Sequence, residues 1–397
     1  MLKVAAASCA LALILVCSIV VSGCSQESKQ TIDGNYLSTA SPIEVPLANV
    51  SLMTDTYKET KTKTEQIAEY KLPNCSQVWA SSDSCAAVLT ATGKASPLMK
   101  ASILDLSDGT LYEVLPEATQ KNADIEEVRC TDEAIAWTEV NEKTQTWTLF
   151  MASLDSTYNM GKKVKLGEGN TTEYDEPQFC ITGSTVIWEV MPNADGAKSE
   201  ENSYVYKQST GDKSPTVMLV SPGRLATAPV VSDGVLTIVP RVDDDGIYYS
   251  LVAIDIKTDE ILERMDLEAS MKPHNAIYQD GAFTFAFEAT YDVGEGIAEY
   301  GTYIQTGKNT FTRFARIPLD TAAKCGAYTI IKSTTATIWI NTEKSTYFTL
   351  MQPDGSADYG DYLATEGECS KIVTFATIES TTVNDDNYVL VRVFDLK

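Results

Sequence analysis

Short apolar runs alternate with polar turns along most of the chain, from about residue 63 onward. Val, Ile, Thr, Tyr and Phe dominate the runs, while Gly, Asp, Asn and Pro separate them. Runs of this length and composition are typical of β-strands, and no window of helix length carries an apolar stripe with a helical period. The pattern therefore predicts an all-β domain.

The runs come in pairs, and the pairs repeat. In residues 234–260 an apolar strand is followed by an Asp/Gly turn and by a second strand that ends in an apolar-Asp-apolar sequence. Related pairs recur about every 50 residues, and the last pair follows the sixth after only about 35. The first strands of the pairs begin at Cys85, Ala134, Thr185, Val235, Phe283, Ala336 and Ile372. A period of this size indicates a repeat architecture.

A unit of about 50 residues has room for four short antiparallel strands, which is one blade of a β-propeller. Neighbouring blades cover both faces of the middle strands, which explains why the first strands are continuously apolar. Trp137, Trp188 and Trp339 lie at similar places in three units, and we expect them to pack between blades. Seven pairs predict a seven-bladed propeller over residues 61–397, with one short or missing strand before the last pair.

One N-terminal strand has no blade of its own. Residues 64–72 alternate apolar and polar positions, whereas the sequence after residues 388–395 leaves no room for the outermost strand of the last blade. We expect these two segments to pair, because the pairing would close the ring and remove exposed strand edges.

Residues 1–24 have the features of a targeting segment. Lys3 precedes an apolar run over residues 4–21, and small residues follow it. The sequence Val21-Ser22-Gly23-Cys24 resembles the lipobox of bacterial lipoproteins, with Val where Leu is more common. The resemblance implies that Cys24 is lipidated and becomes the mature N-terminus. The alternative is an uncleaved transmembrane anchor, since the run is just long enough to span a bilayer. Both readings place the rest of the chain at the membrane, on its extracytoplasmic side.

Residues 25–60 are polar and lack any sustained period. They are rich in Ser, Thr, Lys and Glu and contain Pro42 and Pro46, so we expect a flexible linker between the anchor and the propeller.

Charge and histidine content exclude several functions. The chain has 55 acidic and 31 basic residues and a net charge of -24, which makes nucleic acid an unsuitable partner. Its single histidine, His274, excludes zinc sites with two or more His ligands, and no GxSxG sequence is present. The turn at residues 243–246 lacks the remaining positions of a calcium loop and fits a hairpin. The sequence therefore assigns no catalytic residue, metal or cofactor.

Six cysteines follow Cys24, and an even number in an exported protein permits disulfides in fifteen connectivities. Cys130 and Cys180 both precede the apolar strand of adjacent blades, and they are the first candidate pair. The alternative is that these cysteines are small buried apolar residues.

His274 is the candidate ligand-binding residue. It precedes the innermost strand of the fifth unit, which places it near a mouth of the propeller channel, where ligands commonly bind. The alternative is a loop histidine that is hydrogen-bonded to backbone.

The ends of two units carry a resemblance to a known class of repeat. Residues 104–109 read Leu-Asp-Leu-Ser-Asp-Gly, and residues 254–259 read Ile-Asp-Ile-Lys-Thr-Asp. This pattern resembles the TolB-like, WD-like propeller repeats of bacterial envelope proteins, although the Ser-Pro-Asp-Gly turn of those repeats is reduced to Ser232-Asp233-Gly234. The resemblance implies an interaction role. We therefore expect a lipid-anchored scaffold that binds an envelope protein or a glycan. The alternative is a carbohydrate-active enzyme that uses Asp and Glu carboxylates near the channel.

Overall fold

A computed structural model describes residues 36–37, 40–61, 64–242, 246–287, 297, 299–315, 322–332, 336–357, 361–380 and 386–396. The targeting segment with Cys24 and the acidic turn at residues 243–245 lie outside the described residues. The chain divides into residues 1–34 and a compact unit of residues 35–397. Among the described residues, helical structure is limited to a 3-10 turn (Leu47–Asn49) and the helix α1 (Met53–Thr56). None of the described helices is long and apolar enough to cross a membrane.

The first three strands precede the repeats and are β1 (Val50–Leu52), β2 (Lys58–Glu59) and β3 (Thr64–Pro73). Blade 1 contains β4 (Gln77–Trp79), β5 (Cys85–Ala91), β6 (Met99–Asp105) and β7 (Leu111–Leu115). Blade 2 contains β8 (Asp124–Cys130), β9 (Ala134–Asn141), β10 (Thr146–Ser153) and β11 (Val164–Asn170). Blade 3 contains β12 (Phe179–Thr182), β13 (Thr185–Val190), β14 (Ser203–Ser209) and β15 (Thr216–Ser221).

Blade 4 contains β16 (Val230–Ser232), β17 (Val235–Ile238), β18 (Arg241–Val242), β19 (Tyr248–Asp255) and β20 (Ile261–Asp266). Blade 5 contains β21 (Asn275–Gln279), β22 (Ala282–Phe287), β23 (Gly301–Gly307) and β24 (Thr310–Ala315). Blade 6 contains β25 (Ala322–Cys325), β26 (Tyr328–Lys332), β27 (Ala336–Asn341) and β28 (Thr346–Met351). The last strands are β29 (Tyr362–Leu363), β30 (Gly367–Glu368), β31 (Lys371–Ile378) and β32 (Tyr388–Leu396).

These strands form an all-β propeller, and each predicted strand pair is an antiparallel pair within one sheet. The observed pairs are β5–β6, β9–β10, β13–β14, β17–β19, β22–β23, β27–β28 and β31–β32. The apolar first strand of each pair is buried because neighbouring sheets cover both of its faces.

The expectation of a seven-bladed propeller is wrong. In the described chain, six blades are each built from one continuous stretch, whereas the remaining sheet is composite and runs β29-β31-β32-β3. We call it the closing sheet. Its outermost strand β3 pairs antiparallel with β32, from Thr64 opposite Leu396 to Pro73 opposite Tyr388, which confirms the predicted pairing. Its innermost strand β29 has only two residues, as the short interval before the last pair suggested.

The hydrophobic core is divided among the interfaces between neighbouring sheets. One apolar cluster lies between blades 1 and 2, and equivalent clusters lie between each later pair of sheets. A further cluster joins the closing sheet to blade 1. Trp137, Trp188 and Trp339 are almost fully buried in three of these interfaces, which confirms their predicted packing role.

The turns between the first and second strands of the blades carry acidic residues that connect neighbouring sheets. Asp83 of blade 1 accepts hydrogen bonds from the backbone N–H and the hydroxyl of Ser370, both at 2.8 Å. Asp132 of blade 2 accepts one from the hydroxyl of Ser82 at 2.5 Å. Asp280 of blade 5 pairs with the Lys324 ammonium of blade 6 at 2.5 Å. Some acidic residues of the chain therefore hold neighbouring sheets together.

The described part of the predicted linker packs on the propeller, which corrects the expectation of a free linker. Tyr36 forms a parallel bridge with Val220 of blade 3, and the backbone N–H of Ser41 donates to Asp266 of blade 4 at 2.7 Å. Further along, β1 adds in parallel to β24 of blade 5, and β2 adds in parallel to β28 of blade 6. We call residues 36–61 the belt. It satisfies outer strand edges that would otherwise be unpaired.

The absence of a period in the belt has a physical cause. Its buried side chains Leu37, Val45 and Tyr57 are spaced far apart because each one enters a groove between a different pair of sheets. The polar residues between them span the distance from one blade edge to the next. A segment with this spacing resembles a linker in sequence although it is ordered by its contacts.

Candidate functional site

The channel of the propeller is occupied by a short segment of the closing sheet. After β29, Ala364 and Thr365 still bond to β31, since the backbone N–H groups of both donate to the carbonyl of Val373 at 2.9 and 3.2 Å. The chain then leaves this sheet. The backbone N–H of Ala80 in blade 1 donates to the Ala364 carbonyl at 2.9 Å, and the Glu366 N–H donates to the Ala80 carbonyl at 3.2 Å. We call residues 364–369 the channel segment.

Contacts on the far side show that the channel segment crosses the axis. Strand β30 pairs in parallel with β25 of blade 6. Gly367 faces blade 4, where a Cβ atom on this glycine would lie 2.2 Å from the carbonyl oxygen of Val231. Blade 4 is opposite the closing sheet in the order of the ring. The backbone therefore fills the centre of the channel, and glycine is required at the closest approach.

A charged cluster holds the channel segment to blade 2. The Arg129 guanidinium pairs with the Glu127 carboxylate at 2.6 Å through Nε and with the Glu366 carboxylate through Nη1. It also lies 5.7 Å from the ring centroid of Phe179. Burial alone would lower the pKa of Arg129, but the carboxylates of Glu366 and Glu127 outweigh it and raise that pKa. The cluster places one guanidinium between two carboxylates, and removal of Arg129 would leave both without this partner.

Little free space remains beside the channel segment. A cavity of about 70 Å³ is lined by Cys180, Asp233, Glu366 and Glu368, among others. Drug-sized ligands occupy pockets of about 300–1,000 Å³. The cavity can hold water or a small ion but not a sugar ring or a peptide side chain of average size.

A wider groove of about 750 Å³ extends over blades 4, 5 and 6 and is lined partly by Arg264, Gln279 and Thr342. The guanidinium of Arg264 is already paired with the Asp266 carboxylate, at 2.7 Å from Nε and 3.0 Å from Nη2. Arg264 therefore serves to fix Asp266, which in turn holds the belt through Ser41. The groove is also lined by the charged residues Glu263, Asp280, Lys308 and Glu343.

Charged side chains are also concentrated on the connection face, which we define as the side carrying the blade-to-blade segments 116–123, 171–178, 222–229 and 267–274. Near blades 2 and 3 these charges are acidic. Desolvation and the carboxylates of Asp124 and Glu142 raise the pKa of Glu126. Desolvation, followed by Glu126 and Glu142, raises the pKa of Glu176. The side chains of Glu126 and Glu176 reach solvent, and the charge of Glu126 acts on the Glu176 carboxyl group.

Near blades 4 and 5 the described part of the connection face carries the basic residues Arg224 and Lys272. The Arg224 guanidinium pairs with the Asp175 carboxylate at 2.6 Å and so joins the two sides. Desolvation and the positive charge of Arg224 lower the pKa of Lys272. The sequence analysis did not identify this arrangement. Its acidic side could have been found from Asp124 and Glu126 in one repeat and from Asp175 and Glu176 at the corresponding place in the next.

His274 lies on the same face, directly before β21, as the sequence placed it. Its side chain is exposed, and its backbone N–H donates to the carbonyl of Ala286 at 2.8 Å. A role in ligand binding stays a prediction.

The predicted Cys130–Cys180 disulfide is not formed, and all six described cysteines are free. Cys130 faces blade 1, where its Sγ lies 3.8 Å from the Sγ of Cys85. Cys180 instead faces blade 4. The register explains the difference, because Cys130 is opposite Ile135 across its hairpin whereas Ile181, one residue after Cys180, has the corresponding position. A shift of one residue in a strand turns the side chain to the opposite face.

Among the described residues, no group of three or more His, Cys, Asp or Glu side chains is arranged to hold a metal ion.

Comparisons with known proteins give the fold alone. No protein-family model and no curated protein matches the chain. A solved structure of the puromycin hydrolase S511A mutant complexed with PGG aligns with 86% of this chain and 54% of its own, at 11% identity and a TM-score of 0.51. A prolyl endopeptidase structure aligns with 85% of this chain and 48% of its own, at 8% identity and a TM-score of 0.52. This chain spans about half the length of these two proteins.

The β-propeller domain of the trilobed protease from Pyrococcus furiosus aligns with 68% of this chain and 82% of its own, at 12% identity and a TM-score of 0.45. The sheets themselves and the first two alignments identify the chain as a β-propeller.

Proposed function

We propose that the chain is a membrane-anchored, extracytoplasmic β-propeller that binds an envelope protein through its connection face. The observation that carries this proposal is the channel segment, which fills the axis and leaves a cavity of only about 70 Å³. A propeller enzyme that used the channel would need a pocket of substrate size there. The connection face, by contrast, presents exposed charges on a rigid frame, which suits recognition of a partner surface.

In this proposal the closing sheet joins blade 6 to blade 1 and completes the ring of six blades. Apolar clusters on both of its sides, against blade 6 and against blade 1, support that role. A ring closed in this way holds the connection-face loops at fixed positions, which favours binding without a large ordering cost.

The anchor in the proposal is a lipid on Cys24. The belt begins at Tyr36, twelve residues later, so the intervening chain reaches at most about 40 Å even when fully extended. Labelling of cells with an alkyne-bearing fatty acid tests the anchor. We expect the wild type to be labelled and to sediment with membranes, and we expect Cys24→Ala to lose the label. Cys17→Ala is the matched control and should keep the label. An unlabelled wild type would contradict the anchor.

The acidic side of the connection face indicates a partner with a basic surface, because opposite potentials guide association and reject like-charged competitors. Crosslinking and pull-down from membranes should recover such a protein with the wild type. The double variant Glu126→Gln, Glu176→Gln should lose it, while the pair Glu133→Gln, Glu260→Gln, in exposed turns on the opposite face, should retain it. A glycan array run in parallel should be blank. Strong glycan binding without a protein partner would contradict the proposal.

The alternative, a carbohydrate-active enzyme, is favoured by one observation: burial, followed by neighbouring carboxylates, raises the pKa of Glu126 and of Glu176 on an accessible face. Glycosidases commonly use two carboxyl groups, one of them with a raised pKa. Release of reducing sugar from cell-wall polysaccharide, abolished in Glu126→Gln, would establish this alternative.

A further inference from the structure

We propose that Cys85 and Cys130 form a disulfide bond between blades 1 and 2 when the chain folds in an oxidising compartment. Cys85 is the first residue of β5, and Cys130 is the last residue of β8. Their sulfur atoms are 3.8 Å apart across the interface, and both side chains are fully buried in its apolar cluster.

The geometry suits a disulfide without a change of fold. A disulfide holds its sulfur atoms about 2.05 Å apart, so the two atoms must approach by about 1.7 Å. Rotation about the two Cα–Cβ bonds supplies a shift of this size, because the thiols already face each other. Of the other described cysteines, Cys75 is exposed and Cys180 faces blade 4. Cys325 and Cys369 interact electrostatically with each other, and the Cys325 thiol donates to the carbonyl of Ser370 at 3.1 Å. The Cys85 thiol also lies 3.5 Å from a carboxylate oxygen of Asp132.

The reaction requires an oxidant, which we take to be a small-molecule disulfide or a thiol–disulfide oxidoreductase. One cysteine thiolate attacks a sulfur of the oxidant and forms a mixed disulfide, and one thiol leaves. The second cysteine thiolate then attacks the mixed disulfide and releases the other thiol. In total, two protein thiols are oxidised to one disulfide, the oxidant is reduced to two thiols, and the two cysteine protons are transferred to them.

Burial determines when this exchange takes place. In the folded protein neither sulfur is accessible to an oxidant, and the neighbouring Cys85 thiol together with burial raises the pKa of Cys130, so little thiolate is present. The exchange therefore occurs during folding, before blades 1 and 2 pack. The two cysteines are 45 residues apart in sequence, so the bond closes a loop that contains most of blade 1.

Formation of this bond in the cell rests on the proposed extracytoplasmic location, but the chemistry can be tested without it. The full chain is unfolded with reductant, refolded with reduced and oxidised glutathione, blocked with N-ethylmaleimide in denaturant, and digested. We expect a linked peptide containing Cys85 and Cys130, with a mass about 2 Da below the sum of the two peptides. The Cys85→Ser variant should lose the linked peptide, and Cys75→Ser, at the exposed cysteine, should retain it.

Two results would contradict the Cys85–Cys130 disulfide. The inference is overturned if Cys85 and Cys130 are both alkylated in wild-type protein that has recovered its native circular dichroism, or if Cys130 is linked to Cys180. Protein that is first folded under reducing conditions should react with oxidised glutathione at least roughly 100-fold more slowly than the refolding chain; equal rates would refute the folding-coupled route. Loss of lipid labelling at Cys24 would contradict the anchor and leave this result unchanged.

Discussion

Glu189 is a carboxyl group buried between blades 3 and 4. It lies two residues after Ile187 on the same face of β13, and it is fully buried. In the described structure neither of its carboxylate oxygens has a hydrogen-bond partner. Burial therefore raises its pKa well above the usual 4.5, and the folded protein holds this group protonated where the unfolded chain does not.

The raised pKa has a defined effect on stability. Below about pH 4.5 both states keep the proton, and folding carries no ionisation cost. Above that pH the unfolded chain releases the proton while the folded protein keeps it, so stability falls as the pH rises toward the folded-state pKa. We predict that Glu189→Gln increases the free energy of unfolding at pH 8 by on the order of 1–3 kcal/mol and changes it little at pH 4.

Guanidinium denaturation at both pH values measures this effect. Glu117→Gln, at an exposed glutamate, is the control and should behave as the wild type. A Glu189→Gln curve that remains parallel to the wild type across the pH range would show that Glu189 is ionised in the folded protein.

At the scale of elements, the channel segment depends on Gly367. Its φ of +74° is unfavourable for other residues, and an added Cβ would lie 2.2 Å from the Val231 carbonyl oxygen. Gly234 has a similar φ of +72° but open space around it. We predict that Gly367→Ala destabilises the protein by about 3 kcal/mol or more, whereas Gly234→Ala costs about 1 kcal/mol.

The comparison of these two variants separates two contributions to the loss of stability. Both variants introduce backbone strain, but only Gly367→Ala introduces a clash with blade 4 where the channel segment crosses the axis. Thermal unfolding of both variants, with Gly211→Ala as a control that also has open space around it, gives the two differences directly. Equal losses at Gly367 and Gly234 would mean that the channel segment yields to the added methyl group and is not fixed against blade 4.

The belt gives a second prediction at this scale. Tyr57 is only 8% exposed and packs edge-to-face on Phe314, at 6.1 Å between ring centroids, whereas Leu47 in the same segment is 57% exposed. We predict that Tyr57→Ala lowers the free energy of unfolding by about 2–4 kcal/mol and that Leu47→Ala changes it by less than about 0.5 kcal/mol. Urea denaturation measures both. Similar small effects would indicate that the belt detaches in solution.

How far the sequence predicts each element depends on the range of its contacts. The strand pairs were predictable because their strands are joined by hairpin turns or short local loops, and burial on both faces is visible as a continuous apolar run. Strand β3 was predictable because its alternating residues indicate a strand and no neighbouring repeat unit supplies a partner for it. The belt and the channel segment were not predictable. The partners of Tyr57 and Gly367 lie on distant strands, so the sequence around these two residues shows no periodic pattern that would indicate the contacts. The structure does not bring Cys130 and Cys180 together, because a difference of one residue in register turns their side chains toward different blades.

At the scale of the whole molecule, the ring depends on a strand from the opposite end of the chain. Strand β3 supplies the outer edge of the closing sheet, and its Leu72 is buried in the cluster shared with blade 1. The Tyr70 hydroxyl also donates to the carbonyl of Leu106 in blade 1 at 2.9 Å. Without β3, strand β32 would expose a long unpaired edge and part of the apolar face behind it, which favours aggregation.

We therefore predict that replacing residues 64–73 with a Gly/Ser linker of equal length lowers the melting temperature by at least roughly 5–10 °C and produces oligomers in size-exclusion chromatography. Replacement of residues 142–145, an exposed turn in blade 2, is the control and should leave both properties near the wild type. A synthetic peptide of residues 64–73 should restore the monomer and the cooperative transition, because the edge of β32 selects this strand by its alternating side chains. A scrambled peptide should not. If the variant with the Gly/Ser linker stays monomeric and keeps the wild-type melting temperature, the interfaces between sheets stabilise the ring and β3 contributes little to its stability.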